Sequence, residues 1–370
     1  MSWVKNMDTI NIVVTGAGGS GGINFVRALR LAEAQKRVKL FLVCTDHNPH
    51  FLNFPEADAR FISPRHDDRD FVPLLLKLAK KYNAKFLHPH PSSEARVVSE
   101  NFASFKDEKV ETYLPKAASI MPDKLEIHKA LSKHNVPVAK TASTSSLDDI
   151  DNAFSKLGAP LWIRAKTGAG GRLGLKVDTP EQAKHWVELN VLQNRATIND
   201  FILQEYLPGR DLAFDSLWFH GRLITSYSRE RLQYFLRHIS LSGITGTPTV
   251  ARTVEDENLN HVSIKAIKAL DQTPHGFFSV DVKEDASGKP VVTEVDGKWH
   301  TTAPLWGHAF AKALNKPELN IAYQYLMLGL NGSLDGDLPS FNLFPKNHYL
   351  VRQLDAGVIL ECDKTTWKIA

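Results

Sequence analysis

Residues 291–300 read VVTEVDGKWH, and four of them carry groups that could do chemistry. In a strand, alternate side chains share a face. Glu294, Asp296, Lys298 and His300 would then line up as two carboxylates, an amine and an imidazole, with Val292 and Val295 supplying β propensity. Taken alone, this stretch reads first as a solvated strand face, because an antiparallel sheet commonly turns one side to water. A third acid changes that reading. HGFFSVDVKEDASGKPVVTEVDGKWH has the pattern of a hairpin whose Ser-Gly-Lys-Pro turn brings Asp281 on one arm towards Glu294 and Asp296 on the other. Converging carboxylates repel unless cations lie between them, and hard oxygen ligands suit Mg²⁺.

A second constellation is basic. PLWIRAKTGAGGRLGLKV predicts a strand, a glycine-rich loop and a strand, with Gly168, Gly170, Gly171 and Gly174 in the loop and Arg164, Lys166 and Arg172 around it. Such a loop suits closing over polyphosphate, with backbone donors and cations acting together. The alternative is an ordinary hairpin with a solvated basic tip. The glycines exceed what a turn needs, which favours phosphate. Upstream, MPDKLEIHKALSKHNVPVAKT predicts a helix with Asp123 as N-cap and Lys124 in its first turn. Arg229 and Arg231 in SRERL, with His300 and Thr301, are the residues available for substrate contact; surface ion pairing is an equal alternative for the arginines.

The elements that must position these groups begin with INIVVTGAGGSGGINFVRALRLAEAQ, a strand, a glycine-rich turn and a helix. Gly16, Gly18 and Gly21 spell G-x-G-x-x-G, and a second strand, VKLFLVCTD, ends in Asp46. This approaches a dinucleotide fingerprint, yet the same glycines also suit a tight turn in an α/β domain that binds no dinucleotide. Both readings stand at this point. Strand–helix alternation continues to about residue 115. It includes FLHPHP, which sets His88 and His90 at the carboxyl end of a strand, and a helix expected to be capped by Ser92 or Ser93.

Composition bounds the class. The chain has 370 residues, is 43% hydrophobic and 23% charged, and carries a net charge of +4 with mixed signs. That suits a globular protein of two or three domains and lends no support to nucleic acid as a partner. The two cysteines, Cys44 and Cys362, form neither a disulfide framework nor a zinc spacing. No run of about 18 apolar residues or signal-type segment occurs, so the expected setting is cytoplasmic, without membrane contact; a homo-oligomer is left open.

The order of motifs resembles the ATP-grasp superfamily, most closely the branch of the carbamoyl-phosphate synthetase large subunit and biotin carboxylase. The resemblance runs from about residue 10 to about residue 310. It rests on Asp123-Lys124, the loop from Arg164 to Gly171, E-Y-L-P-G-R-D from Glu205 to Asp211, and D…E-x-D-x-K from Asp281 to Lys298. It implies α/β and α+β architecture: a Rossmann-like pre-ATP-grasp domain over 1–115, an ATP-grasp domain over 116–330 with a lid subdomain at about 138–206, and a strand-rich tail over 331–370 of no assigned role. It implies ATP and Mg²⁺, or Mn²⁺ in its place. Lys124 and Arg164 would bind phosphate, and Gly170 and Gly171 would form the lid loop. Glu205 and Leu207 would form the adenine hinge, and Asp211 would hold the ribose. Asp281, Glu294 and Asp296 would be metal ligands, and Lys298 and Arg172 the catalytic cations. In this family the first glycine-rich turn carries no NAD.

Three departures are visible. Asp296 stands where the family usually has Asn, Gly297-Lys298 replaces Pro-Arg, and Arg164 replaces the commoner lysine, as in the carbamoyl-phosphate synthetase branch. The resulting expectation is a ligase joining a small-molecule carboxylate to an amine through an acyl phosphate. The alternatives are an NAD(P)-dependent oxidoreductase and a nucleotide-binding regulatory protein without catalysis.

Overall fold

The computed structural model describes residues 8–168, 171 and 173–353, together with the backbone of 359–362 and 365–368. Gly170 and Arg172 lie outside the described residues.

The first unit alternates strand and helix: β1 (Thr9–Thr15), α1 (Ser20–Ala34), β2 (Lys39–Asp46), β3 (Ala59–Ile62), α2 (Phe71–Lys81), β4 (Phe86–Pro89), α3 (Ser92–Glu100) and α4 (Phe102–Asp107). Its strands form a parallel sheet in the order β3-β2-β1-β4. Val13, Val14, Val43 and Cys44 are fully buried, as expected of a parallel sheet covered on both faces. α3 starts at Ser92, but its N-cap is Pro91 and no side chain caps it. α5 (Lys124–Lys133) follows, and Asp123 does cap it, accepting from the N–H groups of Leu125 (2.8 Å) and Glu126 (3.2 Å).

The segment expected to form the lid comprises β5 (Thr141–Ser143), α6 (Asp148–Leu157), β6 (Leu161–Ala165), β7 (Leu175–Val177), α7 (Pro180–Leu192) and β8 (Phe201–Glu205), with an antiparallel sheet ordered β5-β8-β6-β7. The main sheet then forms from β9 (Asp211–Phe219), β10 (Arg222–Tyr234), β11 (Pro248–Val254), β12 (Gly276–Glu284) and β13 (Pro290–Asp296), with α8 (Glu257–Leu270) packed on it. α9 (Ala303–Ala313) and α10 (Ile321–Asn331) follow, then β14 (Tyr349–Val351) and a hairpin of β15 (Ile359–Cys362) and β16 (Thr365–Lys368). The main sheet runs β13-β12-β9-β10-β11-β14.

The domain division read from sequence crosses a hydrophobic core. Phe25 and Leu29 of α1 share one cluster with Trp306 and Phe310 of α9 and Tyr325 and Leu326 of α10. Polar staples fix the same contact: Asn24 Nδ2 donates to Thr301 O (3.1 Å) and Asn320 Nδ2 to Ala28 O (2.7 Å). The helices after residue 303 therefore complete the first unit. Between 331 and 353 the chain contains one short strand, and Leu343 and Phe344 anchor it in that core. Among the described residues, no helix is long and apolar enough to cross a membrane.

Candidate functional site

A cleft of ≈ 780 Å³ lies between the lid, the main sheet and the first glycine-rich turn. Its lid end is lined by Ala139, Trp162, Arg164, Gly171 and Gln204–Leu207, and its far end by Gly16, Gly19–Gly22, His90–Ser92 and Trp299–Thr302. Asp281, Glu294 and Lys298 also line it.

The carboxylates meet through an irregularity. Asp281 pairs with Glu294 and Ser279 with Asp296, but Val282 pairs with Val292, so Thr293 is an extra residue in β13. A β-bulge of this kind reverses the alternation and re-aims side chains. Val292 and Val295, three apart, both enter the core behind the sheet, while Asp281 and Glu294 face the cleft.

Every acid on this face has a counter-ion. Glu294 is approached by Arg164 Nη2 (3.1 Å), Lys124 Nζ (3.6 Å) and Lys298 Nζ (3.8 Å). Burial opposes its charge, but Lys124, Lys298 and Arg164 outweigh burial and hold its pKa below the usual value. Asp281 contacts Arg231, and His300 Nε2 lies 2.9 Å from it. Those two neighbours overcome burial and keep Asp281 well below the usual carboxylate range. Asp296 stands apart. It is 3% exposed, does not line the cleft, accepts from the Met121 N–H (2.9 Å) and pairs with Lys298 (2.9 Å). Burial raises its pKa despite Lys298, whose own pKa is raised by Asp296 and Glu294 against burial.

The sequence expectation that three carboxylates converge therefore needs revision. Among the described residues, no three His, Cys, Asp or Glu groups stand together as a metal-binding set. Asp281 and Glu294 do offer hard oxygens on the cleft wall and fit a divalent cation. Asp296 already has both oxygens engaged.

The arginines are not free either. Arg229 is 1% exposed and bound to the fully buried Asp215. Arg231 bridges Asp281 and Asp211 (3.1 Å to the latter), and the second oxygen of Asp211 accepts from Tyr234 Oη (2.8 Å). His300 Nδ1 lies 2.7 Å from Asp215, and burial lowers its pKa to about 4 even beside Asp281. Thr301 lines the far end of the cleft. Sequence reasoning missed Asp215, Tyr234 and Met121. Each acts through strand register or a backbone N–H, for which no local motif exists.

Lys124, the glycine-rich loop and the expected hinge are held by local contacts. Lys124 Nζ donates to Gly168 O (2.6 Å), tying α5 to the lid loop. Gly171 has φ +72°, and Trp162 crowds Gly174 so closely that a Cβ there would lie 2.8 Å from the ring. At the expected hinge, Glu205 Oε1 accepts from the Lys140 N–H (3.1 Å) and Leu207 O from Lys283 Nζ (3.2 Å).

The dinucleotide-like turn borders the cleft, but its glycines Gly16 and Gly21 are packed against protein. A Cβ on Gly16 would lie 2.1 Å from Pro91 Cγ, and one on Gly21 would lie 2.1 Å from His90 Nε2. Asp46, the acid of that pattern, accepts from the N–H groups of Gly18 and Asn48 (2.9 Å each) and so ties down its own loop. These glycines let the β4–α3 connection approach, which is a packing role. Gly21→Ala should accordingly destabilise the protein by about 1–3 kcal/mol through overpacking. Urea unfolding checks this; an unchanged midpoint would mean that His90 does not occupy that space.

No model of a protein family matches the sequence, and no curated protein does. Solved structures do match in fold. A biotin carboxylase–beta-gamma-ATP complex from Campylobacter jejuni is 14% identical, with TM-score 0.65 over 88% of this chain and 72% of that one. The biotin carboxylase domain of Hydrogenobacter thermophilus 2-oxoglutarate carboxylase, with MgADP, ADP and bicarbonate, is 13% identical, with TM-score 0.64 over 97% and 83%. L-amino acid ligase from Bacillus licheniformis is 13% identical, with TM-score 0.59 over 87% and 74%. The architecture is thus the ATP-grasp fold with its preceding Rossmann-like unit, as the motif order implied.

Proposed function

We propose that this ATP-grasp chain is an ATP-dependent ligase that joins a small-molecule carboxylate to an amine, releasing ADP and phosphate. The observation that carries this reading is the pairing of Asp281 with Glu294 on the cleft wall, with Lys124, Arg164 and Lys298 gathered on Glu294. Three cations around one carboxylate suit a site built for polyphosphate and its metal. The ligands carried by the neighbours, MgADP and bicarbonate among them, support it.

Glu205 and Leu207 would border the base, with the Leu207 carbonyl held in place by Lys283. Asp211 would meet the ribose, and Lys124, Arg164 and Gly171 would face the phosphates. Asp281 and Glu294 would hold Mg²⁺, which when bound neutralises charge on the phosphates and the transferred group. Arg231 must release Asp281 for that, and Asp211 keeps a partner for it when it does. Lys298, at the cleft wall beside Glu294, would stabilise the transferred phosphoryl oxygens. The carboxylate attacks the γ-phosphorus, and the amine then displaces phosphate from the acyl phosphate. Closure of the lid keeps water from that intermediate. Lys298 is assigned to the phosphoryl step, and Gly170 and Arg172 keep the roles implied by the resemblance.

Thermal unfolding gives the first test: Mg-ATP should raise Tm and NAD(P) should not. Hydroxylamine gives the second, because it traps an acyl phosphate as a hydroxamate without knowledge of the amine. The expected result is hydroxamate formed only with Mg-ATP and one acid from a panel of amino acids and simple carboxylic acids. A shift with NAD⁺ and none with Mg-ATP would overturn the reading. The grip of Arg231 on Asp281 favours the second reading, a nucleotide-binding protein without turnover, which predicts the Mg-ATP shift with no hydroxamate.

A further inference from the structure

The bulge at Thr293 leaves its carbonyl off the β12–β13 ladder, and a buried carbonyl needs a donor. The donor is His128. It lies on α5, one turn beyond Lys124, and is 3% exposed. Its Nε2 stands 3.1 Å from Thr293 O. A carbonyl only accepts; Nε2 faces Thr293 O at 3.1 Å and Nδ1 faces Ala139 O at 3.4 Å, so the shorter contact assigns the proton to Nε2. Nδ1 of the neutral ring is then an acceptor, and Gln204 Nε2 of the lid strand β8 faces it at 3.2 Å. The same amide nitrogen lies 2.9 Å from Thr141 Oγ1 on β5, and that hydroxyl donates to Ala139 O (2.9 Å). Burial keeps the ring neutral against the pull of the Thr293 carbonyl, its pKa lying below the ordinary value.

The imidazole thus joins the sheet that contains β8 to the carboxylate strand β13. One nitrogen holds the bulge that turns Glu294 to the cleft; the other holds the lid sheet. Gln204 and Thr293 both line the cleft, whereas His128 does not. Lys124, on the same face of α5, makes the parallel tie: Nζ donates to Gly168 O in the lid loop and lies 3.6 Å from Glu294. Two side chains four apart on one helix therefore each span lid and carboxylate strand, as i, i+4 neighbours can.

We propose that His128 is a positioning residue: through the Thr293 bulge and Gln204 it sets the lid sheet against the carboxylate strand, and so sets nucleotide affinity without touching nucleotide. This rests on the reading of the cleft as a nucleotide site.

The test is calorimetric titration of the full chain with Mg²⁺ and the non-hydrolysable analogue adenylyl-imidodiphosphate. Wild type, His128→Phe and His128→Gln are compared, each first shown folded by circular dichroism. Phenylalanine fills the space but makes neither bond; glutamine can donate from its amide and accept at its carbonyl. The expected result is about tenfold weaker binding for His128→Phe, the order of one to two hydrogen bonds lost, and rescue to within about threefold of wild type by His128→Gln. Equal affinity for wild type and His128→Phe overturns the proposal. So does a His128→Gln variant as weak as His128→Phe, since a merely space-filling role would not separate them in this direction. If His128→Phe does not fold, His128→Asn, too short to reach both partners, takes its place with the same two outcomes. Absence of binding by the wild type instead overturns the nucleotide-site reading itself, so the two failures are distinguishable.

Discussion

Glu294→Gln should reduce ATP-dependent acyl-phosphate formation by about 10²–10³-fold, the range seen when one group aimed at developing charge is removed. The change is isosteric, so the loss would come from charge. Glu294 is the common partner of Arg164, Lys124 and Lys298. Neutralising it leaves three cations facing one another and takes a hard anionic ligand from the cleft wall. Asp296 gives the contrast. Asp296→Asn keeps an oxygen for the Met121 N–H and should retain substantial activity. Asp296→Ala leaves that N–H and the Lys298 amine without their partner and should lose most of it, because breaking a buried pair costs about 3–5 kcal/mol. The measurement is hydroxamate formation against Mg²⁺ concentration for the three variants. Equal activity in Glu294→Gln and wild type would mean that the face is only a solvated ion-pair network. A Mg²⁺ requirement displaced by Asp296→Asn would assign Asp296 to the metal rather than to Met121 and Lys298.

Asp215→Ala should cost about 3–5 kcal/mol of folding stability, the penalty for leaving a buried charge without its partner. Asp215 is fully buried, contacts the equally buried Arg229, and also accepts from Ser279 Oγ (2.7 Å) while facing His300 Nδ1 (2.7 Å). Burial, helped by nearby Arg231, already pulls the Arg229 guanidinium down to about 9. Without Asp215 the guanidinium loses its direct carboxylate contact and keeps only the more distant pull of Asp281 and Asp211 against burial. The double variant Asp215→Leu/Arg229→Met, apolar at both positions, should recover much of the loss, since replacing a buried pair entirely is often near neutral. Urea unfolding at pH 7 measures all three proteins. If Asp215→Ala unfolds within about 0.5 kcal/mol of wild type, a surface-like effect, the pair is not formed in solution and Arg229 returns to the list of substrate contacts.

These two results would separate residues that the sequence places side by side. Glu294 and Asp296 look equivalent in VVTEVDGKWH, as do Arg229 and Arg231 in SRERL. In the fold, Glu294 lines the cleft while Asp296 is buried against Met121 and Lys298; both arginines border the cleft, but Arg229 is fully buried on Asp215 whereas Arg231 bridges Asp211 and Asp281.

Much of the molecule is written in local pattern. The βαβ alternation, the cap at Asp123, the glycine-rich lid hairpin, the carboxylate hairpin and the order of all four motifs depend on neighbours within a few residues. Period, turn chemistry and capping act at that range, so a single chain displays them. The sequence by itself thus displayed the local elements and the order of motifs, and their resemblance to the ATP-grasp superfamily implied the architecture.

Non-local register decided the rest. No rule of alternation announces the extra residue at Thr293; it follows from how β13 meets β12, and it is what sends Val292 and Glu294 to opposite faces. The ion pairs of Arg231 with Asp211 and Asp281 span three strands whose adjacency is a property of the sheet. The first glycine-rich turn looks the same in sequence whether it cradles phosphate or protein, and only the approach of Pro91 and His90 tells which. Charges and hydrogen-bonding groups have roles only relative to what neutralises or pairs with them. In this chain several of those partners, Met121 for Asp296 and Arg164 for Glu294 among them, come from 130 to 175 residues away, at distances only tertiary packing sets.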